Sequence, residues 1–179
     1  MEKYYREIND LDLRFIDGRT GSFPAHLHNE IELKCILSGE HYAHCNGKTY
    51  FLKPGSIFIA CPNQIHGFTA ASASEGYVLI INPALTGEIG RYRQENIPID
   101  PVWEGTPDDP ILQMLQLCYK EYKKNGEQEI LYSQIQCLLQ MLCRELDFNA
   151  QPAKGDGSIR RIMQYCAAHY KENISIKEL

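Results

Sequence analysis

The feature that most constrains this chain is a change of hydrophobic period near residue 105. Before it, apolar residues alternate in short runs; after it, they recur at spacings of three and four. A strand-forming segment is therefore followed by a helix-forming one. Ile31 to Leu37 alternates as a half-buried strand does, and Leu11 to Ile16 does so less regularly. Glu40 to Cys45 and Lys48 to Leu52 flank Asn46-Gly47. Both residues of that pair accept a positive φ, so it reads as the tight turn of a hairpin. Ser56 to Ala60 and Gly76 to Ile81 are further β-rich runs. Many short strands separated by Gly and Pro turns predict an antiparallel sandwich or barrel, and the whole chain a mainly β fold with some α.

The second half opens with Asp108, Asp109 and Pro110, a capping carboxylate followed by a first-turn proline. Ile111, Met114, Leu115, Cys118 and Tyr122 then share one helical face. Asn125-Gly126 stops that helix, and Leu131, Ile135, Leu138, Leu139, Leu142 and Leu146 form the stripe of a second. A short turn between them makes an antiparallel helical pair. Its apolar stripes suit packing on the β segment and suit a dimer interface equally well. The polar, Gly- and Pro-containing stretch 151–157 reads as a linker. Helical spacing resumes at Ile159, Ile162, Met163, Cys166 and Tyr170 behind a capping Ser158. Ser175 and Glu178 form a capping box with Ile174 and Leu179 at the staple positions, so a further helix starts where the chain stops. The expected organisation is a β-barrel over 1–105, a helical dimerisation segment over 106–150, a linker over 151–157 and a truncated helical domain over 158–179.

Apolar residues make up 44% of the chain and charged residues 23%, which excludes wholesale disorder. No apolar run is long enough to span a membrane, and the N-terminus lacks the apolar core of a secretory signal. The cysteine count is 7, an odd number without a CxxC pair. This predicts free, mostly buried thiols and a reducing, cytoplasmic setting. A net charge of -5 argues that most of any DNA-binding surface lies outside this chain.

The chemistry concentrates in His26, His28 and Glu32, with His66 following Pro62. In one strand, positions 26, 28 and 32 share parity and point to one face. Three imidazoles and a carboxylate converging inside a barrel suit Zn, Ni, Fe or Mn without selecting among them. The pattern HxH-x3-E-x6-G, ending at Gly39, followed by P-x3-H, resembles the two motifs of the cupin superfamily, a small antiparallel β-barrel. That resemblance implies His26, His28, Glu32 and His66 as metal-binding positions. Asn63 stands where the second motif often has glycine, and four residues separate Gly21 from His26 where the first motif has five.

The segment from Ser158 to Leu179, ending Asn-Ile-Ser-Ile-Lys-Glu-Leu, is similar to the opening of an AraC-type DNA-binding domain. The order of barrel, helical pair, linker and helix-turn-helix start resembles an AraC-family transcription regulator. The resemblance implies a homodimer that binds a small-molecule effector in the barrel and reaches DNA through a full-length C-terminal domain, not through this fragment. It implies no catalysis, and it makes the four residues a hydrogen-bonded polar pocket as readily as a metal site. Lys34, Tyr42 and His44 are further candidates for that effector pocket, and Trp103 for a core aromatic closing one end. His41 and His169 have no visible constellation and are expected at the surface. Tyr4-Tyr5-Arg6 is a candidate regulatory arm. A metal-dependent cupin enzyme of dioxygenase or isomerase type is the alternative, and a dimerisation module without a ligand is a third reading.

Overall fold

A computed structural model describes residues 5–6, 12–87, 89, 96–124, 127–150 and 165. The strands are β1 (Tyr5–Arg6), β2 (Leu13–Thr20), β3 (Phe23–Leu27), β4 (Ile31–Ser38), β5 (His41–Cys45), β6 (Lys48–Leu52), β7 (Ser56–Ala60), β8 (His66–Ala70), β9 (Ser74–Ile81), β10 (Asn96–Pro98), β11 (Val102–Glu104) and β12 (Phe148–Ala150). Two helices follow β11: α1 (Pro110–Lys123) and α2 (Gln128–Glu145). The strands form two five-stranded sheets, ordered β1-β3-β8-β5-β6 and β11-β7-β4-β9-β2, with a separate β10-β12 pair. The expected barrel is thus two facing sheets that do not close on one another. All the strand pairings described in the two large sheets are antiparallel except β1 with β3.

Local chemistry explains the turns. Asn46 (φ 50) and Gly47 (φ 78) both take the positive φ that a two-residue β5–β6 hairpin demands. Asn63 also stands at φ 62, so the residue in place of the usual motif glycine adopts the conformation glycine would supply. Asp109 caps α1 by accepting from the Ile111 amide at 3.0 Å, with Pro110 beginning the helix.

The β11-β7-β4-β9-β2 sheet has two faces with different jobs. On one, Ile31, Leu33, Cys35, Ile57, Leu79 and Ile81 pack into a core shared with Leu115 and Cys118 of α1 and Ile135, Leu138 and Leu142 of α2. The helical stripes therefore cover the sheet. On the other face, Ile36, Phe58 and Ala60 meet Ala43, Cys45, Leu52 and Phe68 of the second sheet in a smaller core. Trp103 is buried on β11 within the helix-side core, as an ordinary core aromatic.

Three features were not visible in the sequence. β2 extends to Thr20 through Asp17 and Gly18, because it is an edge strand held by β9 along its whole length. β3 and β8 carry too few apolar residues in alternation to read as strands, yet pair across the site. His41, expected at the surface, is completely buried: β5 alternates with His41, Ala43 and Cys45 inward, and the His41 ring bonds the Ser74 hydroxyl. His169, the Asn125-Gly126 turn, most of the 151–179 segment and the arm residue Tyr4 lie outside the described residues. The chain divides into two compact units, residues 1–149 and 150–179.

Cys35, Cys45, Cys61 and Cys118 are buried, while Cys137 is exposed. Burial pushes Cys35, Cys45 and Cys118 from an ordinary value of 9.0 up to about 12. The folded state thus holds these protons more tightly than the unfolded chain does. The stability they contribute is complete below pH 9 and is lost as pH rises from 9 towards 12, on the order of 4 kcal/mol per thiol over the whole window. Thermal melts followed by circular dichroism should be flat between about pH 7 and 8.5 and fall steeply above about pH 9. A midpoint unchanged to about pH 11 would contradict this burial.

Candidate functional site

His26 sits on β3 directly opposite His66 on β8. His28 lies in the bend after β3, and Glu32 on β4. The parity argument placed these residues on one strand, whereas the chain leaves β3 at Leu27 and enters β4 at Ile31. His26 and Glu32 belong to different sheets and meet because the sheets face each other. The turn before β8 docks on the bend before β4: the Asn63 amide donates to the His28 carbonyl at 2.8 Å, and the Cys61 amide to the Gln64 side chain at 2.7 Å.

All four side chains are buried, with one potential ligand atom from each lying within 4.8 Å of the others. Glu32 Oε2 is 3.1 Å from His28 Nε2, 3.4 Å from His66 Nε2 and 3.9 Å from His26 Nε2. The opposite ring nitrogens face backbone carbonyls: His26 Nδ1 to Pro24 at 2.9 Å, His28 Nδ1 to Glu30 at 3.2 Å and His66 Nδ1 to Gln64 at 2.8 Å. A carbonyl can only accept, so each Nδ1 carries the hydrogen. In the neutral rings the three Nε2 atoms are then bare acceptors aimed at an acceptor carboxylate. Such a knot requires a cation at its centre, either a proton on a ring or a metal ion. Burial alone would raise the Glu32 carboxyl; where the ring nitrogens facing it carry protons, their hydrogen bonds and the charge of His66 hold it well below the usual carboxylate range.

The donor set fits a divalent transition metal. Imidazole nitrogens and one carboxylate suit Zn, Ni, Fe or Mn, and Nδ1–H bonds to carbonyls are the outer-shell contacts that orient metal-binding histidines.

Beside the cluster, the space between the sheets is not filled. A cavity of about 220 Å³ is lined by His26, Glu32, Lys34 and Phe68, with Ile16, Val78 and Ile80 beneath and Arg14 and Phe23 at its mouth. Lys34 shares the inner face of β4 with Glu32, is 2% exposed, and holds its ammonium 4.3 Å from the centre of the Phe68 ring. Burial pulls Lys34 down to about 8 against the charge of Glu32, which raises it. Tyr42 and His44, also expected in the pocket, point the other way. Tyr42 is exposed against Phe51, and His44 bonds Thr49 and Thr69 on the outer face of β5. Arg14, Ile16, Phe23 and Phe68 were missed as lining residues. The parity of Arg14 and Ile16 along the β2 segment was the signal that could have found the first two.

A family model described as the AraC-like ligand binding domain matches residues 10–153. Among solved structures the chain is similar to ToxT from Vibrio cholerae O395 bound to (E)-4-(8-methylnaphthalen-1-yl)but-3-enoic acid, at 14% identity and TM-score 0.60 over 94% of this chain and 70% of that one. It is also similar to the AraC-like transcriptional activator CuxR, at 13% identity and TM-score 0.60 over 89% of this chain and 61% of that one. An RmlC-like cupin from Shewanella frigidimarina aligns with 38% of this chain and 65% of its own, at 17% identity and TM-score 0.36. No curated protein matches. These structural likenesses are of fold, whereas the family match spans both large sheets and both helices. The chain belongs to the AraC-like ligand binding domain family.

Proposed function

We propose that this chain is the effector-sensing and dimerisation part of an AraC-type DNA-binding transcription regulator, organised along the boundaries 1–105, 106–150, 151–157 and 158–179. The observation that carries the reading is the cavity of about 220 Å³ left between two otherwise closely packed sheets. By liquid volume it has room for roughly seven waters, which suits a small organic molecule better than a drug-sized one. The effector binds there and favours one arrangement of the sheets and helical pair, and this alters how two DNA-binding domains are presented. His26, His28, Glu32 and His66 would hold a divalent metal at the cavity's inner end, where it would supply a Lewis acid for an oxygen-bearing group of the effector. Leu117 and Ile130, exposed at 47% and 45% on the helical pair, support a homodimer through those helices.

An effector at one hundred times its dissociation constant stabilises the folded state by about 2.7 kcal/mol, a melting-point rise of roughly 5 to 10 °C for a chain of this size. A thermal-shift panel of sugars and organic acids should contain at least one compound that does this to the natural chain and not to Val78→Trp, which fills the cavity. A panel that shifts neither protein, or shifts both equally, would defeat the reading.

The purified chain alone should bind DNA negligibly. Its net charge is -5, which opposes contact with phosphates. A gel shift at micromolar protein with duplexes of random sequence should show no complex, and a discrete shifted band would contradict the assignment of DNA contact to a further domain.

The cluster also favours a metal-dependent cupin enzyme as a second reading. Among the described residues, the cavity offers only Lys34 as a nearby candidate for proton transfer besides the cluster itself, which makes binding the better-supported role. Turnover of a diol, sugar or oxo-acid by the Fe- or Mn-loaded chain would reverse that preference.

A further inference from the structure

The cavity has a charge pattern that its own residues leave incomplete. Lys34 is 2% exposed, and no carboxylate among the described residues forms an ion pair with it. Its ammonium rests on the Phe68 face, a contact that orients it without hydrogen-bonding its three donors. Glu32, two residues along the same strand face, acts on Lys34 by its charge, but its Oε2 faces His28 and His66 and makes no ion pair with the ammonium. Arg14, at the cavity mouth, likewise has no ion pair among the described residues.

The sheet register places these cations. Arg14, Ile80 and Glu32 lie side by side across β2, β9 and β4, and Ile16, Val78 and Lys34 form the next row. Lys34 and Arg14 therefore sit at opposite corners of a floor whose middle is Val78 and Ile80, with Ile16 and Glu32 at the other two corners. Phe68 and Phe23 stand on the facing sheet. A buried ammonium with unused donors, beside an apolar floor and roof, is complementary to a molecule with one anionic end and an apolar body.

Resting on the reading of this cavity as the effector pocket, we propose that the effector is an organic carboxylate. Its carboxylate takes the Lys34 ammonium, and its apolar body lies over Ile16, Val78 and Ile80 beneath Phe68. Arg14 draws the anion to the mouth, where its exposed charge steers entry more than it adds affinity. The neutral amide of such a ligand still offers Lys34 a carbonyl acceptor but no charge, so the pocket favours the acid over it.

The test is calorimetric titration of the full chain at pH 7 with 4-phenylbutanoate and with its neutral isostere 4-phenylbutanamide. The natural chain should bind the acid roughly ten- to hundredfold more tightly than the amide, the worth of a charge-assisted hydrogen bond in a dry site. In Lys34→Met, which replaces the buried ammonium with an apolar chain of similar length, that preference should disappear because the acid weakens far more than the amide. Val78→Trp should bind neither. Equal binding of acid and amide by the natural chain overturns the proposal and leaves the pocket standing, and this comparison needs no variant. Retention of the acid preference by a folded Lys34→Met also overturns it. Binding of neither compound, or binding unchanged in Val78→Trp, overturns the proposal together with the pocket on which it rests.

Discussion

With His28 and His66 both replaced by alanine, the chain is expected to lose its bound metal entirely. Grown with Zn, Ni, Fe and Mn supplied and purified without chelator, the natural chain should carry about one equivalent of a divalent transition metal by elemental analysis. Loss of a single outer-shell contact typically lowers metal affinity 10- to 100-fold, so removing two of four direct donors should leave below about 0.1 equivalent. The geometry behind this expectation is the set of three Nε2 atoms that face Glu32 while their Nδ1 hydrogens are committed to the carbonyls of Pro24, Glu30 and Gln64. If neither protein carries metal, the positive charge in the knot is a ring proton, and the cluster is a polar wall of the cavity.

Leu138→Ala should cost the folded unit about 2 to 5 kcal/mol, a fall in melting temperature of roughly 5 to 15 °C. Leu138 is fully buried on α2 in the core formed with Leu33 and Leu79 of the sheet and Leu115 of α1. The loss should be the same at every protein concentration, because the side chain packs within one chain. Leu117→Ala, on the exposed side of α1, should change stability by under about 0.5 kcal/mol while weakening self-association seen by light scattering. A loss relative to the natural chain that changes with protein concentration would mean that the buried stripe, and not the outer face, mediates pairing.

Periodicity and turn chemistry made much of this architecture legible. The Asn46-Gly47 hairpin, the Asp109-Pro110 helix start and the α2 leucine stripe are local features, set by the backbone preferences of a few neighbouring residues. The four site residues were legible for a different reason, as spacing within two motifs. The mechanism of their meeting was not. Alternation along one strand suggested a shared face, while the bend at His28 sends His26 and Glu32 to separate sheets. That bend is held by a bond from Asn63, a contact between residues distant in sequence that no window along the chain contains. Tyr42 and His44 failed as pocket residues for a related reason: composition suggested them, and only the inward phase of β5, set by Ala43 and Cys45, turns them out. The same phase buries His41. Lys34 was legible as polar but not as buried, because its burial depends on Phe68 of the opposite sheet.

Among the described residues, strand β2 has one hydrogen-bonded neighbour, β9, and no partner on its other side in the sheet. Its alternate residues face two different compartments. Arg14 and Ile16 line the cavity. Phe15 meets Tyr119 and Tyr122 of α1, with ring centres 5.4 and 5.7 Å away, and Asp17 accepts the Tyr119 hydroxyl proton. Here that edge strand has a tenant on each side. Whatever presses on Arg14 and Ile16 from within also loads Phe15 and Asp17 from behind, one residue away and with no intervening layer. The occupancy of the cavity and the seating of α1 are thus two readings of one strand's position.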